Sequence, residues 1–195
     1  RRERALLELL RRQSLLPLAG KRVLDVGCGN GEVLRDLVRY GAAPASLFGV
    51  DLLPERLAAA RARSAAMVQF SLGDATHLPY PAGYFDIALH FTVLSSIVDA
   101  TARREAAAEA MRVLRPGGTL VVYDFTWNPG NRDVRGVRAD ELPRLFGNCG
   151  IDVRRVTLAP PLSRPLARIA WPLAAALETL PFLRSHLMAS IRKPD

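Results

Sequence analysis

The stretch Val23-Leu24-Asp25-Val26-Gly27-Cys28-Gly29-Asn30-Gly31 constrains this chain more than any other. A short apolar run ends in glycines at three alternate positions, and residues 32–40 then read as a helix. Glycine at a strand end lets the backbone turn sharply and pass close to a ligand. The helix start that follows adds a favourable electrostatic end. Asp51 stands twenty residues beyond Gly31, where a second predicted strand closes. An acid at that place can accept both hydroxyls of a ribose. Together these features predict a nucleoside-containing ligand at the carboxyl ends of strands one and two. A dinucleotide fingerprint, G-x-G-x-x-G, would need its third glycine at position 32, which is Glu32. The ligand therefore need not carry a pyrophosphate.

The pattern around this loop is regular. Strands are predicted at residues 21–26, 46–50, 67–72, 84–89 and 119–123, and helices at 2–14, 32–40, 54–64 and 101–114. Leu6, Leu9 and Leu10 share one face of the first helix. Pro54 suits a first helical turn, and Pro116-Gly117-Gly118 reads as a turn. Strict alternation with short connections implies parallel strands with helices on both faces. Beyond residue 131 the rhythm changes: a short helix over 139–147, a strand over 151–158, an apolar helical stretch over 160–184 and a last strand over 186–191. With no evident linker, the expectation is a single domain over 1–195. Its parts would be an N-terminal helix (1–19), a cofactor-binding core (20–131) and a C-terminal part (132–195) with a helical insertion near 160–184.

Composition supports a folded chain: 49% of the 195 residues are hydrophobic and 24% charged, too apolar for overall disorder. The net charge of +8 is unevenly placed. Residues 1–22 carry +5, residues 23–131 carry −2 and residues 132–195 carry +5. Basic ends admit nucleic acid, anionic lipid or an anionic substrate as partners. They also admit a compositional bias, since only Lys21 and Lys193 among 27 basic residues are lysine. Cys28 and Cys149 have neither metal nor disulfide spacing, and no signal peptide is seen. The expected location is cytoplasmic, with a peripheral contact at the inner face of the membrane as a further expectation; no metal is expected.

Four segments in order carry a family resemblance: VLDVGCGNG (23–31), GVD (49–51), GDATHLPYP (73–81) and VLRPGGTLVV (113–122). Over roughly residues 20–125 the chain resembles the class I S-adenosylmethionine-dependent methyltransferases, the small type 11-like kind. The resemblance implies a Rossmann-like α/β fold: a seven-stranded sheet of order 3-2-1-4-5-7-6, strand seven antiparallel, with helices on both faces. It implies S-adenosyl-L-methionine as cofactor and S-adenosyl-L-homocysteine as product. Gly27, Cys28, Gly29 and Gly31 would line the donor, Asp25 would set the loop near its amino group, and Asp51 would hold the ribose. Leu52 would lie against the adenine, with simple core packing as its alternative. Asp74 and Ala75 would meet the adenine edge, Asp74 having a turn role as its alternative. His90, at the end of strand four, would face the methionine part and the acceptor.

A hydroxyl acceptor needs a base, and the candidates are His90 and Asp124, with His186 behind them and His77 read as a loop residue. Tyr123, Thr92, Trp127, Asn128 and Asn131 fall around the same mouth. Several acceptors are argued down. Base amines usually call for an Asn/Asp-Pro-Pro-aromatic turn where this chain has His90-Phe91-Thr92-Val93. Pyrimidine C5 chemistry needs a cysteine near strand four, and arginine methylation needs a paired-glutamate loop. What remains is a hydroxyl of a small-molecule, lipid-linked or glycan acceptor. The alternatives are carbon methylation of a quinone-like ring and a non-catalytic cofactor-binding partner subunit; monomer and homodimer both stay open. In the 160–184 stretch, Leu166, Ile169, Leu173, Leu177 and Leu180 form an apolar stripe. It reads as packing on the sheet, as a lid, or as a membrane or partner surface.

Overall fold

The computed structural model describes residues 2–127, 134–158 and 184–195. The stripe of 160–184, Asn128 and Asn131 lie outside the described residues, apart from Arg184. The helices are α1 (Arg2–Arg12), α2 (Glu32–Arg39), α3 (Pro54–Arg63), α4 (Ala100–Val113) and α5 (Leu142–Phe146). The strands are β1 (Val23–Val26), β2 (Leu47–Asp51), β3 (Gln69–Leu72), β4 (Phe85–Phe91), β5 (Leu114–Phe125), β6 (Gly150–Leu158) and β7 (Arg184–Arg192). They form one sheet of order β3-β2-β1-β4-β5-β7-β6. The first five run parallel, and β7 is antiparallel to both β5 and β6. Order and direction match the expectation. The order reverses between β1 and β4, the crevice where open α/β sheets bind ligands.

Successive side chains on a strand point to opposite faces, which divides the core in two. On one face Leu24, Val26, Ala88, Leu120 and Val122 pack with Ala107, Ala110 and Val113 of α4 and Leu142 and Phe146 of α5. On the other, Val23, Leu47, Leu89, Val121 and Met188 meet α1 through Leu6, Leu9 and Leu10, α2 through Leu34 and Leu37, and α3 through Leu57. Because both faces are covered, every residue of β1 and β2 is buried. That is why these strands read as continuous apolar runs rather than alternating ones.

Two differences from the expected elements matter for the site. β4 runs two residues further, to Phe91, so His90 is an interior strand position rather than a residue beyond the end. Its register opposite Val26 and Val122 holds it there. The Pro116-Gly117-Gly118 turn is absorbed into β5, whose pairing with β4 jumps from Phe85–Leu114 to Ile87–Thr119 across a bulge. Lys193 stabilises this junction: its Nζ donates to the carbonyls of Met111 (2.7 Å) and Leu114 (2.6 Å) at the end of α4. Among the described residues no helix is long and apolar enough to cross a membrane.

Candidate functional site

The loop after β1 takes the shape its glycines permit. Gly27, Gly29 and Gly31 all have positive φ (65°, 54° and 74°), a region most L-residues avoid. At Gly27 a Cβ would also lie 3.0 Å from Val93 Cγ2. Two bonds tie the loop to β2: the Cys28 amide donates to the Val50 carbonyl (2.9 Å) and the Gly29 amide donates to Asp51 Oδ2 (2.8 Å). Asp51 Oδ1 accepts from the Leu53 amide (3.0 Å). One buried carboxylate thus organises both rims of a cleft.

A cavity of about 300 Å³ opens there. Val26 and Gly27 line its floor; Asp51, Leu52, Leu53 and Arg56 line one end, with Gly73 and Ala75 beside them. Phe91, Thr92, Val93 and Ser96 close the other end. Thr92 is unusual, since it is β-branched and has φ 60°. Such strain costs roughly 1–3 kcal/mol and persists only where surroundings enforce it. Here the Thr92 amide donates to the Tyr123 carbonyl (2.7 Å), and the Thr92 carbonyl accepts from Ser96 Oγ (2.7 Å).

The structure brings some candidates together and leaves others apart. Gly27, Asp51, Leu52 and Ala75 line the cavity. Leu52 is 62% exposed, so it is a surface of the cleft and not core. Gly29 and Gly31 shape the loop behind the lining. The Cys28 side chain is buried among α2 and α3 residues; burial, with Asp25 and Asp51 nearby, pushes its thiol up and makes it inert. Asp74 Oδ1 accepts from the Thr76 amide (2.9 Å), so in this structure the carboxylate closes its own turn. Asp25 is 1% exposed, with neither carboxylate oxygen hydrogen-bonded. Desolvation raises its carboxyl to about 8 against the opposing pull of Arg2.

His90 is fully buried, and neither ring nitrogen has a partner. Burial lowers it to about 4, which keeps the imidazole neutral. It does not line the cavity; alternation along β4 puts it on the α4 face, beside Val26, which does line it. Asp124 is also fully buried; its carboxylate accepts from the Ser95 amide (3.0 Å) and the Phe125 amide (2.9 Å). Burial raises it to about 6, opposed by those bonds and by Arg103. His186 sits on the opposite face, stacked on Tyr123 at 4.9 Å, with Nδ1 2.9 Å from Ser185 Oγ. His77 is on the surface. Among the described residues no group of His, Cys, Asp and Glu can hold a metal.

Sequence reasoning missed the device that holds the 73–83 loop. Glu109 Oε2 accepts from the Leu78 amide (2.8 Å). Arg112 donates to the carbonyls of Tyr80 (2.8 Å) and Leu78 (3.1 Å) and to Glu109 (2.6 and 2.8 Å). Their spacing of three on α4 was the available signal, but it resembles any surface pair. Arg112→Ala removes two bonds to the loop that carries Ala75. At ~1 kcal/mol each, titration calorimetry should show donor affinity falling by up to about thirtyfold. An unchanged affinity would show that the loop holds itself.

The comparisons agree with this geometry. The profile of the family described as "Methyltransferase domain" matches residues 24–122. The methyltransferase GfsG of Streptomyces halstedii is 30% identical over 193 residues, covering 90% of this chain and 68% of its own. The ubiquinone/menaquinone biosynthesis C-methyltransferase UbiE of Roseobacter denitrificans is 37% identical over 121 residues, covering 59% and 46%. The 27-O-demethylrifamycin SV methyltransferase of Amycolatopsis mediterranei is 36% identical over 122 residues, covering 59% and 43%. The chain thus spans about half the length of several of the curated relatives it matches. Among solved structures, an S-adenosylmethionine-dependent methyltransferase from Mesorhizobium loti has a TM-score of 0.67 at 22% identity, covering 95% of this chain and 96% of its own. With the glycine loop, the Asp51 bridge and the sheet order in agreement, this chain belongs to the S-adenosylmethionine-dependent methyltransferases.

Proposed function

We propose that this chain transfers the methyl group of S-adenosylmethionine to a hydroxyl of a small-molecule acceptor. The observation that carries the reading is the continuous cavity running from Asp51 to the Thr92–Ser96 turn. Bound S-adenosylmethionine supplies an electrophilic methyl group on a sulfonium. The residues present fit it: a buried Asp25 without a partner, a Gly27 position that a side chain would block, and a carboxylate at the ribose end. Asp51 would accept the ribose hydroxyls, Leu52 and Ala75 would flank the adenine, and Gly27 would pass beneath the methionine end. Displacement at such a methyl needs mainly alignment and exclusion of water. Phe91 and Val93 exclude water at the acceptor end, while the hydroxyls of Thr92 and Ser96 offer polar contacts to an acceptor.

Asp124 serves this arrangement from behind, by holding the Ser95 amide and with it the turn that carries Thr92, Val93 and Ser96. His90 takes the acceptor's proton in a second reading. One observation favours it: the imidazole is neutral, desolvated and unpartnered. The relative named for an O-demethylated substrate supports oxygen as the acceptor atom, and the C-methyltransferase relatives support carbon as the alternative. Methyl-labelled donor offered with hydroxyl-bearing small molecules and with hydroquinones decides between them, the labelled position being read by NMR. Label on oxygen is expected, and label on carbon alone overturns the proposal. His90→Gln should lower kcat at least tenfold with donor affinity unchanged if the imidazole is the base. Unchanged kcat removes it from the chemistry.

A further inference from the structure

One charged side chain is buried deep beside the apolar face of α4. Arg103 is 1% exposed. It shares its face of the helix with Ala106, Ala107 and Ala110, of which the last two pack in the apolar core. Burying a guanidinium is expensive, and a well-packed apolar side chain would serve stability as well. So near the start of α4, the charge gains nothing from the helix dipole either. What distinguishes Arg103 is where its donors go. Nε and Nη2 both donate to the Ile97 carbonyl (3.1 and 2.9 Å). Nη2 also donates to the Arg135 carbonyl (3.0 Å), and Nη1 donates to Glu141 Oε1 (3.0 Å). The turn after β4, the segment after β5 and α4 thus meet on one planar fork. Residues 135–141 lie beyond those matched by the family profile, and they are fitted tightly. The Arg135 amide donates to the Ser95 carbonyl (2.9 Å) and the Val137 amide to the Phe125 carbonyl (2.7 Å). A Cβ at Gly136 would lie 2.5 Å from the Thr126 carbonyl oxygen.

We propose that Arg103 is a positioning residue for methyl transfer: it clamps the turn after β4 to the 135–141 segment and so fixes the acceptor end of the cavity. The inference rests on the acceptor-end reading above. The turn is gripped from two sides. Asp124 holds the Ser95 amide (3.0 Å), and Arg103 holds the Ile97 carbonyl two residues on. Between these grips lies Ser96, a cavity residue whose Oγ donates to the Thr92 carbonyl (2.7 Å). Thr92 keeps its φ of 60° only while its surroundings enforce it, and the clamp supplies part of that restraint. The placement of Thr92, Val93 and Ser96 is therefore set by a residue that does not itself line the cavity. The 135–141 segment, outside the donor core, becomes a determinant of how the acceptor is aligned.

Amide hydrogen exchange read by NMR tests the clamp without any acceptor. The variants are Arg103→Met, which is apolar, and Arg103→Lys, which keeps the charge and loses the fork. In both, protection of the Ser95, Ser96 and Arg135 amides should fall about tenfold, with the amides of β1 and β2 unchanged. Steady-state kinetics with labelled donor and the acceptors named above reads the consequence. The acceptor's kcat/KM should fall on the order of a hundredfold, the cost of a misplacement of about 1 Å, while calorimetry shows donor affinity unchanged. If the Arg103 variants do not fold, Glu141→Gln decides by the same readouts. It weakens only the ion pair at the edge of the cluster, where the Glu141 side chain is 18% exposed, and should show the same pattern with smaller effects. Unchanged protection, protection lost evenly over the sheet, equal losses for donor and acceptor, local loss with kcat/KM retained, or full recovery by lysine each overturn the clamp. Wild type that binds the donor but methylates none of these acceptors overturns the acceptor reading beneath it, and the exchange pattern still decides the clamp.

Discussion

Asp51→Asn should reduce S-adenosylmethionine binding at least a hundredfold, the largest loss expected from one atom's change in this protein. Asp51 is 4% exposed and already accepts from Gly29 (2.8 Å) and Leu53 (3.0 Å). Its removal therefore acts twice. The ribose loses a charged acceptor, and the glycine loop loses the bond that fixes it against β2. An asparagine presents an amide donor to one of those N–H groups, so one bond turns repulsive. Bonds to a charged partner contribute roughly 1.5–3 kcal/mol each, so two or more exceed a hundredfold. Calorimetry measures this directly; affinity retained within tenfold of wild type would show that Asp51 only shapes the loop.

Asp25→Asn should do the opposite to stability while also weakening the donor. The wild-type carboxyl is buried, unpartnered and raised to about 8, chiefly by desolvation. In the unfolded chain it titrates at ~3.9. Between about pH 4 and pH 8 the folded state keeps a proton that the unfolded state has released, so stability falls as pH rises across that window. Asparagine has no such penalty. The variant should gain on the order of 2–4 kcal/mol at pH 7, or about 4–16 °C in Tm for a chain of this size. The advantage should vanish near pH 4. Scanning fluorimetry at several pH values, without ligand, reads it. An equal difference at pH 4.5 and pH 7.5 would mean that the carboxyl is not titrating as argued. Affinity for S-adenosylhomocysteine should fall in the same variant, the trade between stability and function expected where a site keeps a buried polar group without a partner.

Much of the donor half is legible in the amino-acid sequence, and the reason is local. The shape of the Val26–Gly31 loop depends on which residues tolerate positive φ, and glycine announces that by its identity. Asp51 closes β2 next to that loop, and in parallel sheets adjacent strand ends are where such residues meet. The acceptor side is less legible. Two further residues of β4 move His90 from a mouth to an interior, because pairing with β1 and β5 continues past Leu89. Asp124 looks like a free strand-end acid in sequence; folded, it is consumed by the Ser95 and Phe125 amides. Pro116-Gly117-Gly118 looks like a turn, yet a bulge absorbs it within β5.

The charge pattern shows the same division. That the middle is mildly acidic and both ends are basic is plain from residue identities. That one of those basic residues, Arg2, pairs with Glu32 and lies over the Phe91 ring depends on the docking of a helix that is remote from both in the chain. By itself the sequence determined the strand–loop–helix that receives the donor, since backbone freedom and short-range periodicity are written residue by residue. Only the tertiary structure decided which ionisable groups are spent on hydrogen bonds, which stay buried without a partner and which reach the cavity. Those outcomes depend on how far each strand pairs and on what packs across it, distances that chain order does not contain.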